Sequence, residues 1–154
     1  MRNTTLCYLE KEDSVLMLHR TKKNNDPNHN LWLGIGGGFE EGESAEDCLV
    51  REVLEETGLQ LTSWKLRGIV CFTSTDYPTE QMFVFTSDSF QGTLKECPEG
   101  DLMWVERRKI PELELWEGDR KFLDLLWKDT GFFSMKLVYG TGNKLLSSQV
   151  RFYP

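Results

Sequence analysis

"GGGFEEGESAEDCLVREVLEETGL", residues 36–59, opens on three glycines and then carries eight carboxylates against a single arginine, Arg51. Ser44 stands where an N-cap belongs, with Asp47 three residues on, and Gly58 stands where a C′ glycine ends a helix. The spacing therefore predicts a helix from about Ala45 to Thr57. At about 100° per residue, with Glu52 at zero, Glu56 falls at about 40° and Glu55 at about 300°. Ala45 at about 20°, Leu49 at about 60° and Cys48 at about 320° share that sector, so the acids interleave with the residues that pack. Like charges three or four apart on a helix repel, and partial burial raises the cost sharply unless a counter-charge is present. A solvated acidic face is the plain alternative, but these acids do not lie opposite the apolar stripe. Arg51 reaches Glu55 at i,i+4 yet cannot neutralise three acids. A hard divalent cation can, and carboxylates with a backbone carbonyl and water suit Mg²⁺ or Mn²⁺.

The rest of the chain sets the frame for that helix. Its 154 residues, 39% hydrophobic, suffice for one buried core, so we expect one compact domain over residues 1–154. No run approaches the roughly 18 apolar residues of a membrane span, and the start lacks a secretory signal, so a cytoplasmic location with no membrane partner is expected. Cys7, Cys48, Cys71 and Cys97 lack C-x-x-C spacing and read as reduced, mostly structural thiols. A net charge of −7 argues against stable nucleic-acid binding.

"TTLCYL" and "SVLMLHR" read as paired strands around a polar turn, and "WKLRGIVCFTS" with "EQMFVFTSDSF" as two longer strands interrupted at Pro78. "DLMWVERR" reads as a shorter strand, and Asp119 as the cap of a second helix, "RKFLDLLWKD". The end, "FFSMKLVYGTGNKLLSSQVRFYP", reads as a hairpin turning at residues 140–143. With no internal repeat or linker, these elements form one αβ unit. Gly34, Gly36, Gly37, Gly38 and Gly42 suggest a loop presenting a carbonyl to metal or amides to phosphate, although Phe39 breaks G-x-G-x-x-G and no Lys-Ser/Thr follows Gly42.

Gly37, five residues, Glu43, seven residues, Arg51-Glu52-Val53, one residue, Glu55-Glu56, one residue, Gly58-Leu59: this pattern resembles the full signature of the Nudix hydrolases, the MutT-like family. The resemblance implies an α/β/α sandwich, an α+β arrangement with a mixed central sheet, here extended by the C-terminal hairpin. It implies Mg²⁺-dependent hydrolysis, with Mn²⁺ able to substitute, of a nucleoside diphosphate linked to another moiety. Glu52, Glu55 and Glu56 correspond to the metal-binding acids, the Gly36 carbonyl to a backbone ligand, and Arg51 to a residue that orients the glutamates. Gly37, Gly42 and Gly58 match positions that shape the loop and the helix end. Glu99, in "ECPEGDLMWV", is the candidate for the further acid that such sites often take from a later loop; otherwise it is an exposed turn acid. Either Glu52 or Glu56 would be the base.

"ELWEGDRKF" resembles a loop of the 8-oxo-dGTP diphosphatases, in which a Trp stacks near the base and an Asp hydrogen-bonds it; Trp116 and Asp119 stand at those places. Plain packing for Trp116 and helix capping for Asp119 remain open. "FFSMKLVY", "KLLSSQV" and "FY" are similar to bacterial members of that branch. Two positions depart from the pattern: Gly38 stands where many members have Lys, and Leu33 where some purine-reading members have an amide. Arg20, Lys22 and Lys23 form a basic turn that either receives phosphates or is simply solvated. The resemblance thus implies a small-molecule nucleotide substrate, most specifically an oxidised purine dNTP such as 8-oxo-dGTP, handled by a monomer or homodimer in nucleotide-pool sanitation. The alternatives are ADP-ribose, a dinucleoside polyphosphate, or a nucleotide sensor without catalysis.

Overall fold

The computed structural model describes residues 1–22 and 24–154; the candidate Lys23 lies outside the described residues. The described elements run β1 (Arg2–Lys11), β2 (Ser14–Arg20), β3 (Trp32–Leu33), β4 (Ile35–Gly38), α1 (Ala45–Thr57), β5 (Leu59–Ser74) and β6 (Glu80–Gly92). Then follow β7 (Gly100–Glu106), a 3-10 turn (Arg107–Glu112), α2 (Glu117–Lys128), β8 (Phe132–Tyr139), a second 3-10 turn (Thr141–Asn143) and β9 (Leu145–Tyr153). The strands join in the order β3-β2-β1-β6-β5-β8-β9, with β4 also pairing β1 and β7 also pairing β2. Pairing is mixed: β1 with β6 and β5 with β8 are parallel, and β5 with β6 and β8 with β9 are antiparallel. This mixed sheet with its two helices is the expected α+β architecture, including the C-terminal hairpin.

Alternation along the first two strands explains why helices cover both faces. Leu6 and Tyr8 on β1, with Val15 and Met17 on β2, pack with Phe122, Leu123 and Leu126 of α2. Cys7 and Leu9, with Leu16 and Leu18, pack instead with Leu49 and Val53 of α1. A strand buried on both faces must read as a continuous apolar run, and residues 4–9 and 15–18 are buried without a break. Cys7, Cys48 and Cys97 sit buried as free thiols and Cys71 is half-buried, in line with a structural reading. Among the described residues no helix is long and apolar enough to cross a membrane.

Helix α1 has the bounds its caps prescribe. The Asp47 amide donates to Ser44 Oγ (3.0 Å) and the Ser44 amide donates back to Asp47 Oδ2 (3.1 Å), while Gly58 adopts φ 80° and closes the helix through its amide to the Leu54 carbonyl. Two expectations need correction. Asp119 does not cap α2, because the helix begins earlier: Trp116 is the N-cap residue and Asp119 lies buried inside the first turn. The cause is the close seat of Gly118, whose amide donates to Tyr139 Oη (2.7 Å) and whose missing side chain leaves room for Leu137 and Tyr139. The glycines at residues 36–38 form not a loop but strand β4, paired antiparallel with β1. There a Cβ at Gly36 would stand 1.8 Å from the Thr5 carbonyl oxygen, so only glycine permits the approach.

Candidate active site

Strand β4 and helix α1 place Gly36, Gly37, Gly38 and Glu52 on the wall of a cavity of about 430 Å³, with Arg20, Glu99, Trp116 and Asp119 also on its lining. Glu52 lies over Gly37, where a Cβ would meet its carboxylate carbon at 2.5 Å. One turn on, Glu56 is buried and accepts a hydrogen bond from the Gly36 amide (3.0 Å). Glu99 reaches Glu56 from the segment before β7 and also pairs with Arg20 Nη1 at 3.0 Å, so it is no exposed turn acid.

Electrostatically this wall is overloaded with negative charge. Burial pushes the Glu56 carboxyl up, and the neighbouring Glu99 and Glu52 push it further, so Glu56 retains a proton well above the usual carboxylate range. Burial likewise raises Glu52, aided by Glu55 and Glu99 and opposed by Arg51.

Arg51 does the orienting. Its Nε and Nη2 donate to the two carboxylate oxygens of Glu43 (2.7 and 2.9 Å), its Nη1 to Glu52 (2.8 Å) and Glu55 (3.2 Å), and its Nη2 also to the Gly38 carbonyl (3.0 Å). The guanidinium holds the Glu43 carboxyl down to about 2. One side chain thus ties the connection after β4 to the acids of α1. Glu55 is exposed and lies off the cavity lining.

Among the described residues, no three acidic, histidine or cysteine side chains already converge as a metal cluster. The geometry shows why: Arg51 draws Glu52 and Glu55 toward itself, and Glu56 turns to the Gly36 amide. In kind and in charge, however, the donors fit a hard divalent cation. They are oxygens throughout, and burial, with their mutual repulsion added, raises the carboxyls of Glu52 and Glu56.

A hydrogen-bonded string runs from these acids to Trp116, which also lines the cavity. Arg20, besides pairing with Glu99, donates through Nε to Asp26 Oδ2 (2.8 Å); Asp26 Oδ1 accepts from the Asn28 amide (3.0 Å); and Asn28 Oδ1 accepts from Trp116 Nε1 (2.7 Å). Arg20 is therefore not a solvated cation, and Lys22 is turned away, donating to the Cys97 carbonyl (2.8 Å). Trp116 is packed as well as cavity-lining, meeting Phe72 and Tyr139 edge-on at 5.5 and 5.1 Å between centroids. Leu33, Gly36, Gly37 and Gly38 complete the predicted residues on the lining; Gly42 and Gly58 shape the backbone through positive φ. Arg2, Asn28 and Tyr77 also line the cavity and carry no local signal in the sequence.

Asp119 is 6% exposed, and burial raises its carboxyl to about 7. An unfolded aspartate loses its proton at about pH 4. A pKa raised by folding gives stability that is complete below the unfolded value and is lost as pH climbs through the folded one, so this residue subtracts stability between about pH 4 and 7. The slope there is about 1.4 kcal/mol per pH unit. We expect Asp119→Asn to flatten that decline, read as a smaller difference between urea midpoints at pH 5 and pH 8 than in the unsubstituted chain.

Comparison with known proteins now decides the family, because the NUDIX domain model matches residues 1–126. The chain belongs to the Nudix family. It is accordingly a hydrolase that acts on phosphoric anhydride bonds, of the MutT type. An uncharacterised Nudix hydrolase, YvcI of Bacillus subtilis, is 32% identical over 96% of this chain and 92% of its own length. An oxidised purine nucleoside triphosphate hydrolase of Mus musculus is 33% identical over 66% of this chain and 65% of its own. An NAD-capped RNA hydrolase, NudC of Haemophilus influenzae, is 28% identical over 82% of this chain but only 42% of its own. The crystal structure of a MutT protein from Bacillus halodurans superposes over 100% of both chains with a TM-score of 0.88 at 26% identity.

Proposed function

We propose that this Nudix hydrolase is a pyrophosphohydrolase acting on a nucleoside triphosphate, with an oxidised purine dNTP such as 8-oxo-dGTP as the preferred substrate, releasing the monophosphate and pyrophosphate. The observation that carries the reading is the cavity's mixed chemistry. Its lining carries Glu52 and Glu99, with Glu56 held behind Gly36, together with a buried Asp119 and the Trp116 ring. No protein hydrogen bond to the Asp119 carboxyl occurs among the described residues, and a half-protonated carboxyl near neutral pH can donate to or accept from the edge of a nucleobase. The similarity to a mouse oxidised purine nucleoside triphosphate hydrolase supports the same substrate class.

Mg²⁺, or Mn²⁺ in its place, would be held by Glu52, Glu55, Glu56, Glu99 and the Gly36 carbonyl. Such a cation would supply neutralisation of the polyphosphate charge and polarisation of the bond to be broken. The protein's own share is positional. Arg51 fixes Glu52 through Nη1 and the Glu43 side through Nε and Nη2, so Glu52 faces the cavity in one rotamer. Of the two candidate bases, Glu52 borders the cavity whereas Glu56 is sealed beneath Gly36, so Glu52 is the residue that takes the proton from the attacking water. The chain works as one catalytic unit in the cytoplasm, without a nucleic-acid or membrane partner.

A panel of nucleotides with Mg²⁺ tests the substrate: 8-oxo-dGTP, dGTP, ADP-ribose, a dinucleoside tetraphosphate and NAD, scored for pyrophosphate against phosphate. The expected result is a kcat/KM for 8-oxo-dGTP at least about tenfold above dGTP, with pyrophosphate as product. Preference for ADP-ribose or NAD rejects the sanitation role, and no cleavage of any of them points to a sensor.

A further inference from the structure

The cavity poses an electrostatic problem for the proposed substrate. Its described lining carries five carboxylates, Asp26, Glu52, Glu80, Glu99 and Asp119, and two cations, Arg2 and Arg20. A polyphosphate entering it needs a cation with donors to spare. Arg20 is already committed: its charge is matched by Asp26, at 2.8 Å from Nε and 2.7 Å from Nη2, and by Glu99, at 3.0 Å from Nη1, and its side chain is only 15% exposed.

Arg2 is different in each respect. Its side chain is 60% exposed and its ion pair, Nη1 with Glu80 Oε1, is loose at 3.2 Å. The backbone beneath is fixed: the Arg2 amide donates to the Thr79 carbonyl (2.9 Å), and Arg2 pairs with Glu80 at the start of the parallel β1–β6 ladder. A rigid base with a loosely held fork is the form of an anion ligand. Its position is specific too. Nη2 lies 2.9 Å from where a Cβ on Gly38 would stand, so the guanidinium fills the space that a side chain at position 38 would otherwise occupy. It therefore lies at the end of β4, two residues from Gly36 and one from Gly37, against which helix α1 sets Glu52.

We infer that Arg2 is the phosphate-gripping residue of this site, releasing Glu80 to bind the polyphosphate of the substrate, and that Gly38 is glycine to leave room for it. The inference rests on the nucleotide-hydrolase reading and adds a residue to it from outside the signature.

The experiment uses the full chain and whichever triphosphate the panel identifies. KM, kcat and competitive inhibition by inorganic pyrophosphate are measured for the unsubstituted enzyme, Arg2→Ala, Arg2→Lys and the double variant Arg2→Ala/Gly38→Lys. Arg2→Ala is expected to raise KM and the pyrophosphate inhibition constant about tenfold with kcat within about twofold, the scale of one charge-assisted hydrogen bond. Arg2→Lys recovers part of the loss. In the double variant the emptied space admits the new lysine, which returns both constants to within about threefold of the starting values. A merely structural Arg2 would not be rescued from position 38, and its loss would lower Tm and kcat together. Unchanged KM and inhibition in Arg2→Ala, or no recovery in the double variant, overturns the assignment while leaving the hydrolase reading standing. An unsubstituted enzyme that cleaves no nucleoside triphosphate overturns that reading, and this inference with it.

Discussion

Replacing Glu52 by Gln, or Glu56 by Gln, is expected to lower kcat by about a hundredfold or more while the fold persists, since general-base and charge-stabilising groups contribute on that scale. The structure makes this a clean experiment. Glu56 already holds a proton under the pressure of burial and of Glu99, so a glutamine is close to its resting form and still accepts the Gly36 amide. A glutamine at 52 likewise retains an oxygen for Arg51 Nη1. Urea midpoints measured beside kcat should therefore stay near those of the unsubstituted enzyme. Near-normal turnover in both variants would remove the proposed mechanism.

Gly36→Ala is expected to have the largest effect on stability. Its methyl would lie 1.8 Å from the Thr5 carbonyl oxygen and 2.6 Å from the Thr5 carbonyl carbon, and these are backbone atoms of β1 that cannot swing aside. β4 must part from β1 at its centre, where Leu6 pairs with Gly36. A cost of about 3 kcal/mol or more follows, a fall in Tm of roughly 6–12 °C by calorimetry. Gly37→Ala supplies the contrast. Its methyl meets only the Glu52 carboxylate, at 2.5–2.7 Å, and a side chain can rotate away. That variant should keep its Tm and lose turnover instead; equal Tm losses in the two would sink the account of β4.

How much was legible in the sequence follows from the range of the interactions involved. Helix α1 is written in neighbours: Ser44, Asp47 and Gly58 settle its ends without help from the rest of the chain. Glu52 and Glu56 are legible for the same reason, whereas Glu55, placed by spacing in the same sector, is exposed. β4 is not, because a run of three glycines has no strand propensity of its own; it becomes a strand only when β1 supplies the pairing edge. Asp119 fits an N-cap pattern, but Gly118 seated against Tyr139 draws the helix start forward to Trp116, a tertiary effect invisible to local spacing. Glu99 could be placed before a strand, yet its contacts with Arg20 and Glu56 depend on β7 pairing with β2. Arg2 and Asn28 reach the cavity through pairing and loop contacts that no motif encodes.

The string from Glu99 through Arg20, Asp26 and Asn28 to Trp116 bears on how such a protein changes over generations. Because one short loop anchors both ends, substitutions in it are pleiotropic: with Trp116 meeting a nucleobase as proposed, a change that re-aims the ring also disturbs Glu99. Epistasis between nucleobase preference and turnover should then be strong. Lineages that alter the ligand would accumulate paired replacements at residues 20, 26 and 28 rather than single ones.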